Sequence, residues 1–306
     1  MKPTDIRIRE MTTDTEDFLY RSPIKFGGVA IDRATILNVH CLVETRSGQL
    51  ARGFGSMPLG NVWAFPSKKL NYDQTLAAMK AVVERVLAIA SDYREFGHPI
   101  DLTHALEPLY LRAAEEQTVR LQLADPIPPL CTLVAASPFD AALHDAFGKV
   151  HGLNCFSTLG SEFMSHDLGH YLGSDFEGEW LDRYVDKKAK PRMPLYHLVG
   201  ALDPLTAADV KQPINDGLPE TLAAWIPFDG LTHLKIKLNG EDLDWDVQRT
   251  IGVDRVAAIE QAKRGNPTWF YSLDFNEKCA NVAYLLEFLR KLKELIPSGF
   301  EKIQYI

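Results

Sequence analysis

Residues 232–240 read Thr-His-Leu-Lys-Ile-Lys-Leu-Asn-Gly, and the alternation within them decides how the second half of the chain is interpreted. Side chains of a strand alternate between its two faces, so Leu234 and Ile236 share one face while Lys235 and Lys237 share the other. In a barrel of parallel strands, the apolar face packs under helices. The lysines then point inward, near the end of the strand where barrel active sites lie. Two ammonium groups in that position need an anionic partner, because an unpaired buried charge is costly.

The next predicted strand offers this partner. Residues 269–277 read Trp-Phe-Tyr-Ser-Leu-Asp-Phe-Asn-Glu, and the period of two places Asp274 and Asn276 on the same face. Asp274 is therefore an inward carboxylate at the end of the strand beside the one that carries Lys235 and Lys237.

The pattern around these two strands predicts an α/β architecture. Strand-like and helix-like segments alternate from residue 194 onward, which is typical of a parallel sheet covered by helices. The predicted strands are 194–199, 231–238, 268–275 and 300–306, and the predicted helices are 253–263 and 281–295.

The first half of the chain predicts an α+β unit instead. Alternating apolar residues favour strands, and Ser47-Gly48 favours a hairpin turn between two of them. Ser137 followed by Pro138 is a typical helix start, with Ser137 as the N-cap. The predicted strands are 5–11, 34–45 and 50–55, and the predicted helices are 73–91, 101–115 and 137–152.

The Lys-x-Lys and Asp-x-Asn pairs at the ends of neighbouring strands resemble the enolase superfamily, in its mandelate racemase/muconate lactonizing enzyme branch. A second, independent match lies in residues 137–160, which resemble that family's A-x-D-x-A-L-W-D-x-x-G-K-x-x-G-x-P…L-L-G stretch. His144 replaces the usual Trp, and Asn154 replaces the usual Pro. The matching residues are Asp140, Ala142, Leu143, Asp145, Gly148, Lys149 and Gly152.

The resemblance implies a capping domain followed by a TIM-type barrel. We expect an α+β capping domain over residues 1–135, a helix and linker over 136–192, and the first three to four β/α units of the barrel over 193–306. A complete barrel needs about 250 residues, so we expect this barrel to be incomplete, with the chain truncated at its C-terminus. The family's substrate-covering loop corresponds to Tyr20–Gly28, which includes Tyr20 and Phe26.

The resemblance also implies an activity. Such enzymes abstract a proton α to a carboxylate and stabilise the enediolate on Mg²⁺, a hard cation that prefers carboxylate oxygens. Lys237 would be the base, Lys235 would neutralise the substrate carboxylate, Asp274 would be the first Mg²⁺ ligand, and Asn276 would support it. Racemases, epimerases, acid dehydratases and cycloisomerases acting on a small carboxylate all fit this pattern. The family's other metal ligands and second acid/base would follow residue 306, so we expect these 306 residues alone to be inactive and the full-length protein to be a homo-oligomer.

The composition excludes several other classes of function. The 306 residues carry a net charge of −8, which predicts no nucleic-acid partner. No apolar run approaches the about 18 residues of a membrane span, and no secretory signal is visible, so we expect a cytoplasmic protein. The four cysteines are widely spaced, as is typical of reduced thiols.

Two alternatives to an enzyme of the enolase superfamily remain open from the sequence. A truncated or non-catalytic relative would use the capping domain for binding or assembly. An unrelated open α/β enzyme would leave Lys235, Lys237 and Asp274 far apart in space, because nothing in such a fold requires them to converge.

Overall fold

A computed structural model describes residues 1–26, 29–186, 188–276 and 278–306, except the side chains of Lys25, Phe26 and Val29. The chain divides into two compact units. The first comprises Met1–Ser22 and Asp32–Ala189, and the second comprises Pro23–Ile31 and Lys190–Ile306. Of residues 136–192, expected as a helix and linker, 136–189 cluster with the first unit and 190–192 with the second. Among the described residues, no helix is both long and apolar enough to cross a membrane.

The first unit contains most of a three-stranded sheet in the order β1-β2-β3, whereas the end of β1 and the start of β2 belong to the second unit. β2 and β3 pair antiparallel, and Gly48 makes the turn between them with a φ of 84°. The predicted hairpin is therefore confirmed. β1 is longer than the predicted strand 5–11, so Tyr20, expected in a loop, lies within a strand, and the side chain of Phe26 lies outside the described residues. The strands are β1 (Ile6–Phe26), β2 (Val29–Thr45) and β3 (Leu50–Pro58).

Four helices of the first unit pack against this sheet in one hydrophobic core, and a short fifth helix, Leu168–Leu172, lies outside that core. β3 lies directly against the longest of them, and its glycines make that approach possible. A Cβ atom on Gly55 would lie 2.0 Å from the carbonyl oxygen of Pro138, which no real side chain tolerates. The helices are α1 (Asn61–Ala64), α2 (Tyr72–Asp92), α3 (Pro99–Arg120), α4 (Pro129–His151) and α5 (Leu168–Leu172).

The prediction that a helix starts at Ser137 is wrong, because α4 already begins at Pro129. Pro138 lies inside this helix and has no N–H group to donate to the carbonyl of Val134. The hydroxyl of Ser137 donates to that carbonyl instead, at 3.0 Å. Ser137 thus satisfies a backbone carbonyl inside the helix and does not cap the start of the helix.

His98 is a buried N-cap whose two ring nitrogens have different partners. Nδ1 accepts a hydrogen bond from the N–H of Ile100 at 3.3 Å, and Nε2 lies 3.1 Å from the carbonyl oxygen of Thr158. This arrangement requires the neutral ring with its proton on Nε2. Burial, and then the neighbouring His144, lower the pKa of His98 from 6.5 to about 4.

We expect this histidine to make the protein less stable in mild acid. The folded pKa lies below the unfolded one, so the contribution is complete above pH 6.5 and declines as the pH falls towards 4. Between pH 8 and pH 5, wild type should lose about 2 kcal/mol more unfolding free energy than His98→Asn, which keeps a capping oxygen. Urea denaturation at both pH values measures this difference. The control is His40→Asn at an exposed position, which should lose as much unfolding free energy between these pH values as wild type. Equal losses in wild type and His98→Asn would contradict the prediction.

The second unit is built around a parallel sheet in the order β4-β5-β6-β7. Helices connect its strands, so the predicted parallel α/β sheet is confirmed. The buried face of the sheet carries Leu234, Ile236, Tyr271 and Leu273, which join one hydrophobic core with Phe288. The strands are β4 (Tyr196–Val199), β5 (His233–Lys237), β6 (Phe270–Asp274) and β7 (Ile303–Tyr305).

Two helices of this unit differ from the prediction. α6 (Leu222–Asp229) was not predicted, and α7 (Leu243–Lys263) begins ten residues before the predicted start at residue 253. The first turns of α7 carry an apolar stripe of Leu243, Val247 and Ile251, which joins the hydrophobic core, but acidic residues are interspersed with it and the prediction missed it. α8 (Val282–Leu295) matches its prediction closely, and α9 (Pro297–Phe300) follows it as a single turn.

Candidate active site at the ends of β5 and β6

The lysines of β5 lie on the face of the sheet opposite the hydrophobic core. Leu234 and Ile236 are fully buried, whereas the side chains of Lys235 and Lys237 remain 35% and 12% exposed. The predicted alternation of the strand is therefore confirmed. Because Lys237 is the last residue of β5, its ammonium group lies at the C-terminal edge of the sheet.

Asp274 brings the two lysines together. It is the last residue of β6 and lies directly beside Lys237 in the parallel register. Its Oδ2 atom is 2.7 Å from Nζ of Lys235 and 2.6 Å from Nζ of Lys237. Two ammonium groups thus converge on one oxygen atom of Asp274, as the barrel interpretation requires and the alternative of an unrelated open α/β enzyme does not.

Asn276 completes this cluster. Its backbone N–H donates to Oδ1 of Asp274 at 2.9 Å, and its side-chain Oδ1 accepts a hydrogen bond from Nζ of Lys237. Its side-chain amide donates to the carbonyl of Leu238 at 3.1 Å. The residue has a φ of 53°, a left-handed conformation that asparagine tolerates better than most residues.

The electrostatics of the cluster favour the ionised form of Asp274. Burial alone raises its pKa, but the hydrogen bonds from Lys235, Lys237 and the Asn276 N–H outweigh burial and lower the pKa from 3.8 to about 2. When both lysines are protonated, the cluster has two positive charges and one negative charge. This surplus positive charge suits an anionic ligand such as a carboxylate.

Two tyrosines meet across the same face of the sheet. Tyr196 of β4 and Tyr305 of β7 belong to its two outer strands, yet the hydroxyl of Tyr305 donates to that of Tyr196 at 2.7 Å. The sheet is therefore strongly curled. Burial, then the contact with Tyr305, raises the pKa of Tyr196 above its ordinary value. Sequence reasoning missed this pair because the two residues are far apart in the chain.

The oxygen atoms of Asp274 are not by themselves a magnesium site. Oδ2 accepts from two ammonium groups and Oδ1 accepts from a backbone N–H. Within the described residues, no group of three or more histidine, cysteine, aspartate or glutamate side chains is arranged to hold a metal ion. Asp274 is the carboxylate of this cluster, and three protein donors already occupy it, two on Oδ2 and one on Oδ1.

Asp246 is a buried carboxylate near this site that sequence reasoning also missed. It accepts hydrogen bonds from the N–H groups of Asn239 and Gly240, which lie in the loop after β5. The acidic start of α7 after the N-cap Asp242 was the available signal for this helix. That signal does not distinguish the buried Asp246 from its exposed neighbour Asp244.

Comparisons with known proteins identify the fold. No protein-family model matches the sequence, and no curated protein matches it. Among solved structures, the chain is similar to an enolase from Bradyrhizobium complexed with magnesium and mandelic acid, with a TM-score of 0.55 and 17% identity. It is also similar to a dipeptide epimerase from Methylococcus capsulatus complexed with Mg and a dipeptide, with a TM-score of 0.50 and 19% identity. A mandelate racemase/muconate lactonizing protein from Herpetosiphon aurantiacus gives a TM-score of 0.50 and 16% identity.

These similarities extend over nearly the whole chain but over only part of each related structure. They cover 95%, 94% and 96% of this chain, respectively, and 59% of each of the other chains. These similarities confirm that the chain shares the fold of the structures that it was expected to resemble, and they show the fold alone.

Proposed function

We propose that a chain with this fold belongs to an enzyme that abstracts the proton α to a carboxylate group of a small substrate. The observation that carries the proposal is the convergence of Lys235 and Lys237 on Asp274 at the ends of two adjacent parallel strands. Active sites of parallel barrels lie at this end of the strands. The proposed outcome is racemisation, epimerisation, dehydration or cycloisomerisation.

Each lysine has a separate role in this proposal. Lys237 is the more buried of the two and is the proposed base, which takes the α-proton after losing its own. Lys235 keeps its charge and neutralises the substrate carboxylate, so that negative charge can grow on that carboxylate as the proton leaves. Asn276 holds the Lys237 side chain in place through its amide oxygen.

Magnesium is part of the proposal because the structures that share the fold include proteins complexed with it. Asp274 is the proposed first ligand. Further oxygen ligands are needed besides Asp274, since a single carboxylate does not satisfy the octahedral preference of Mg²⁺. We also propose that β4–β7 are the first strands of a barrel in the whole protein and that the segment covering its substrate includes Tyr20 and Phe26. The whole protein is further proposed to be a cytoplasmic homo-oligomer.

Proton exchange with solvent tests this function directly. The protein made from its complete reading frame is incubated in D2O with MgCl2 and a panel of α-hydroxy acids, including mandelate, and dipeptides. We expect proton NMR to show loss of the α-proton signal for at least one class of carboxylate, and excess EDTA to stop the loss. A folded protein that binds a carboxylate but exchanges no α-proton would contradict the proposal.

A second candidate is a non-catalytic relative that binds an anion without turning it over. The engagement of Asp274 by protein groups favours it, because three donors already occupy this carboxylate, two on Oδ2 and one on Oδ1, and compete with a metal for its oxygen atoms. Calorimetric binding of a carboxylate that is unaffected by EDTA, together with no proton exchange, would support this candidate over the enzyme.

A further inference from the structure

Asp246 is fully buried in the first turns of α7, and both of its oxygen atoms are used. Oδ1 accepts from the N–H of Asn239 at 2.8 Å. Oδ2 accepts from the N–H of Gly240 at 2.9 Å and from the hydroxyl of Tyr284 at 2.7 Å. Three donors on one carboxylate fix its position closely. Asp246 thus joins α7, the start of α8 and the loop that follows β5.

One peptide group links Asp246 to the candidate site. The peptide between Leu238 and Asn239 donates its N–H to Asp246, and its carbonyl oxygen accepts from the side-chain amide of Asn276. Asn276 in turn accepts from Lys237 through its side-chain oxygen. A negative charge on the N–H side of a peptide strengthens its carbonyl as an acceptor, because hydrogen bonds in a chain polarise one another.

The loop at this point is packed too closely to move independently. Gly240 has a φ of 70°, and a Cβ atom there would lie 2.9 Å from Cβ of Lys278 and 3.0 Å from the backbone nitrogen of Cys279. Lys278 and Cys279 lie in the connection that follows β6. The loops after β5 and β6 are therefore in contact where Asp246 holds the first of them.

We infer that Asp246 is a positioning residue for Lys237. It fixes the Leu238–Asn239 peptide, this peptide orients the Asn276 amide, and the amide fixes the ammonium group of Lys237. Asp246 itself touches neither Lys237 nor Asp274 in the hydrogen bonds of the described residues. The role of Asp246 in catalysis rests on the proposed function, because that function makes Lys237 the base. The link from Asp246 to Asn276 can be measured without any substrate.

The test is NMR spectroscopy of the Asn276 side-chain amide, assigned by its loss in Asn276→Ser. In Asp246→Asn, one or more of the three donors loses its acceptor. We expect the Asn276 amide signal to shift and its hydrogen exchange to become about tenfold faster, as for the loss of one hydrogen bond. In an active full-length protein, the same variant should lower kcat more than it changes KM.

Arg249→Lys is the matched control. Arg249 lies on the same helix three residues later and donates to the carbonyls of Gly200 and Asp203, which follow β4. This variant disturbs another loop. It should therefore leave the Asn276 signal unchanged even if it lowers thermal stability as much as Asp246→Asn does. An unchanged Asn276 signal in Asp246→Asn, or an equal shift in Arg249→Lys, would overturn the inference.

If Asp246→Asn does not fold, Tyr284→Phe is measured in its place. It removes one of the three donors and keeps the two backbone bonds, so we expect a smaller shift of the same Asn276 signal. An unchanged signal in this variant would then overturn the inference. If wild type exchanges no α-proton, the proposed function fails, but these NMR measurements still decide whether Asp246 orients Asn276.

Discussion

Lys237→Met is expected to lower the rate of α-proton exchange by about 10³-fold, the effect of losing a general acid/base group. Methionine fills most of the space of the lysine stem but has no group that accepts a proton. Because Lys237 is 12% exposed, bulk solvent offers little replacement for the missing base. The measurement is loss of the substrate's α-proton signal in D2O, on the full-length protein at saturating substrate.

Two variants make this result specific. Lys235→Met should raise KM more than it lowers kcat, since the proposed role of Lys235 is to neutralise the substrate carboxylate. Lys263→Met, on the exposed side of α7 and paired with Glu260, should leave the rate unchanged. If Lys237→Met kept a rate within about threefold of wild type, another group would be the base, because a real general base contributes far more than that.

The cluster of Lys235, Lys237 and Asp274 could be predicted because strand geometry is local and regular. A period of two decides which side chains share a face, and parallel pairing brings the ends of adjacent strands to the same edge. Their roles as base, helper and metal ligand stay predictions. Asp246 could not be found in this way, since its partners are backbone groups and a tyrosine on another helix.

Helices were predicted correctly where apolar periodicity was strong. The prediction failed where contacts with other elements decide where a helix begins. α8 has a clear apolar stripe and was placed almost correctly. In α4, Ser137-Pro138 is a typical helix start, but β3 packs against a continuous helix at this point, and the Ser137 hydroxyl compensates for the missing N–H of Pro138. The contacts of β3 thus outweigh a strong local signal, as tertiary packing often does.

Asp274→Asn is expected to lower the free energy of unfolding by about 2 kcal/mol, because it leaves two ammonium groups without their carboxylate. Removal of one partner from a fully buried ion pair costs more, but here the lysines are partly solvated. Urea denaturation at pH 7 in the presence of EDTA measures the change. The pKa of Asp274 is lowered to about 2, so its contribution is present above pH 3.8 and disappears as the pH falls through 2. The difference between wild type and variant should therefore remain at pH 4.

A second substitution separates charge repulsion from simple loss of packing. If repulsion between the unpaired lysines causes the cost, then Lys235→Met in the Asp274→Asn background should restore about half of it, because one ammonium then remains beside Asn276. The control is Asp244→Asn, which breaks the pair with Lys291 at 2.6 Å, where the aspartate is 84% exposed. Its effect should stay within about 0.5 kcal/mol, as for surface ion pairs in general. If both substitutions lowered the free energy of unfolding equally, Lys235, Lys237 and Asp274 would be as well solvated as a surface ion pair. The proposed binding of a substrate carboxylate there would then lose its electrostatic basis.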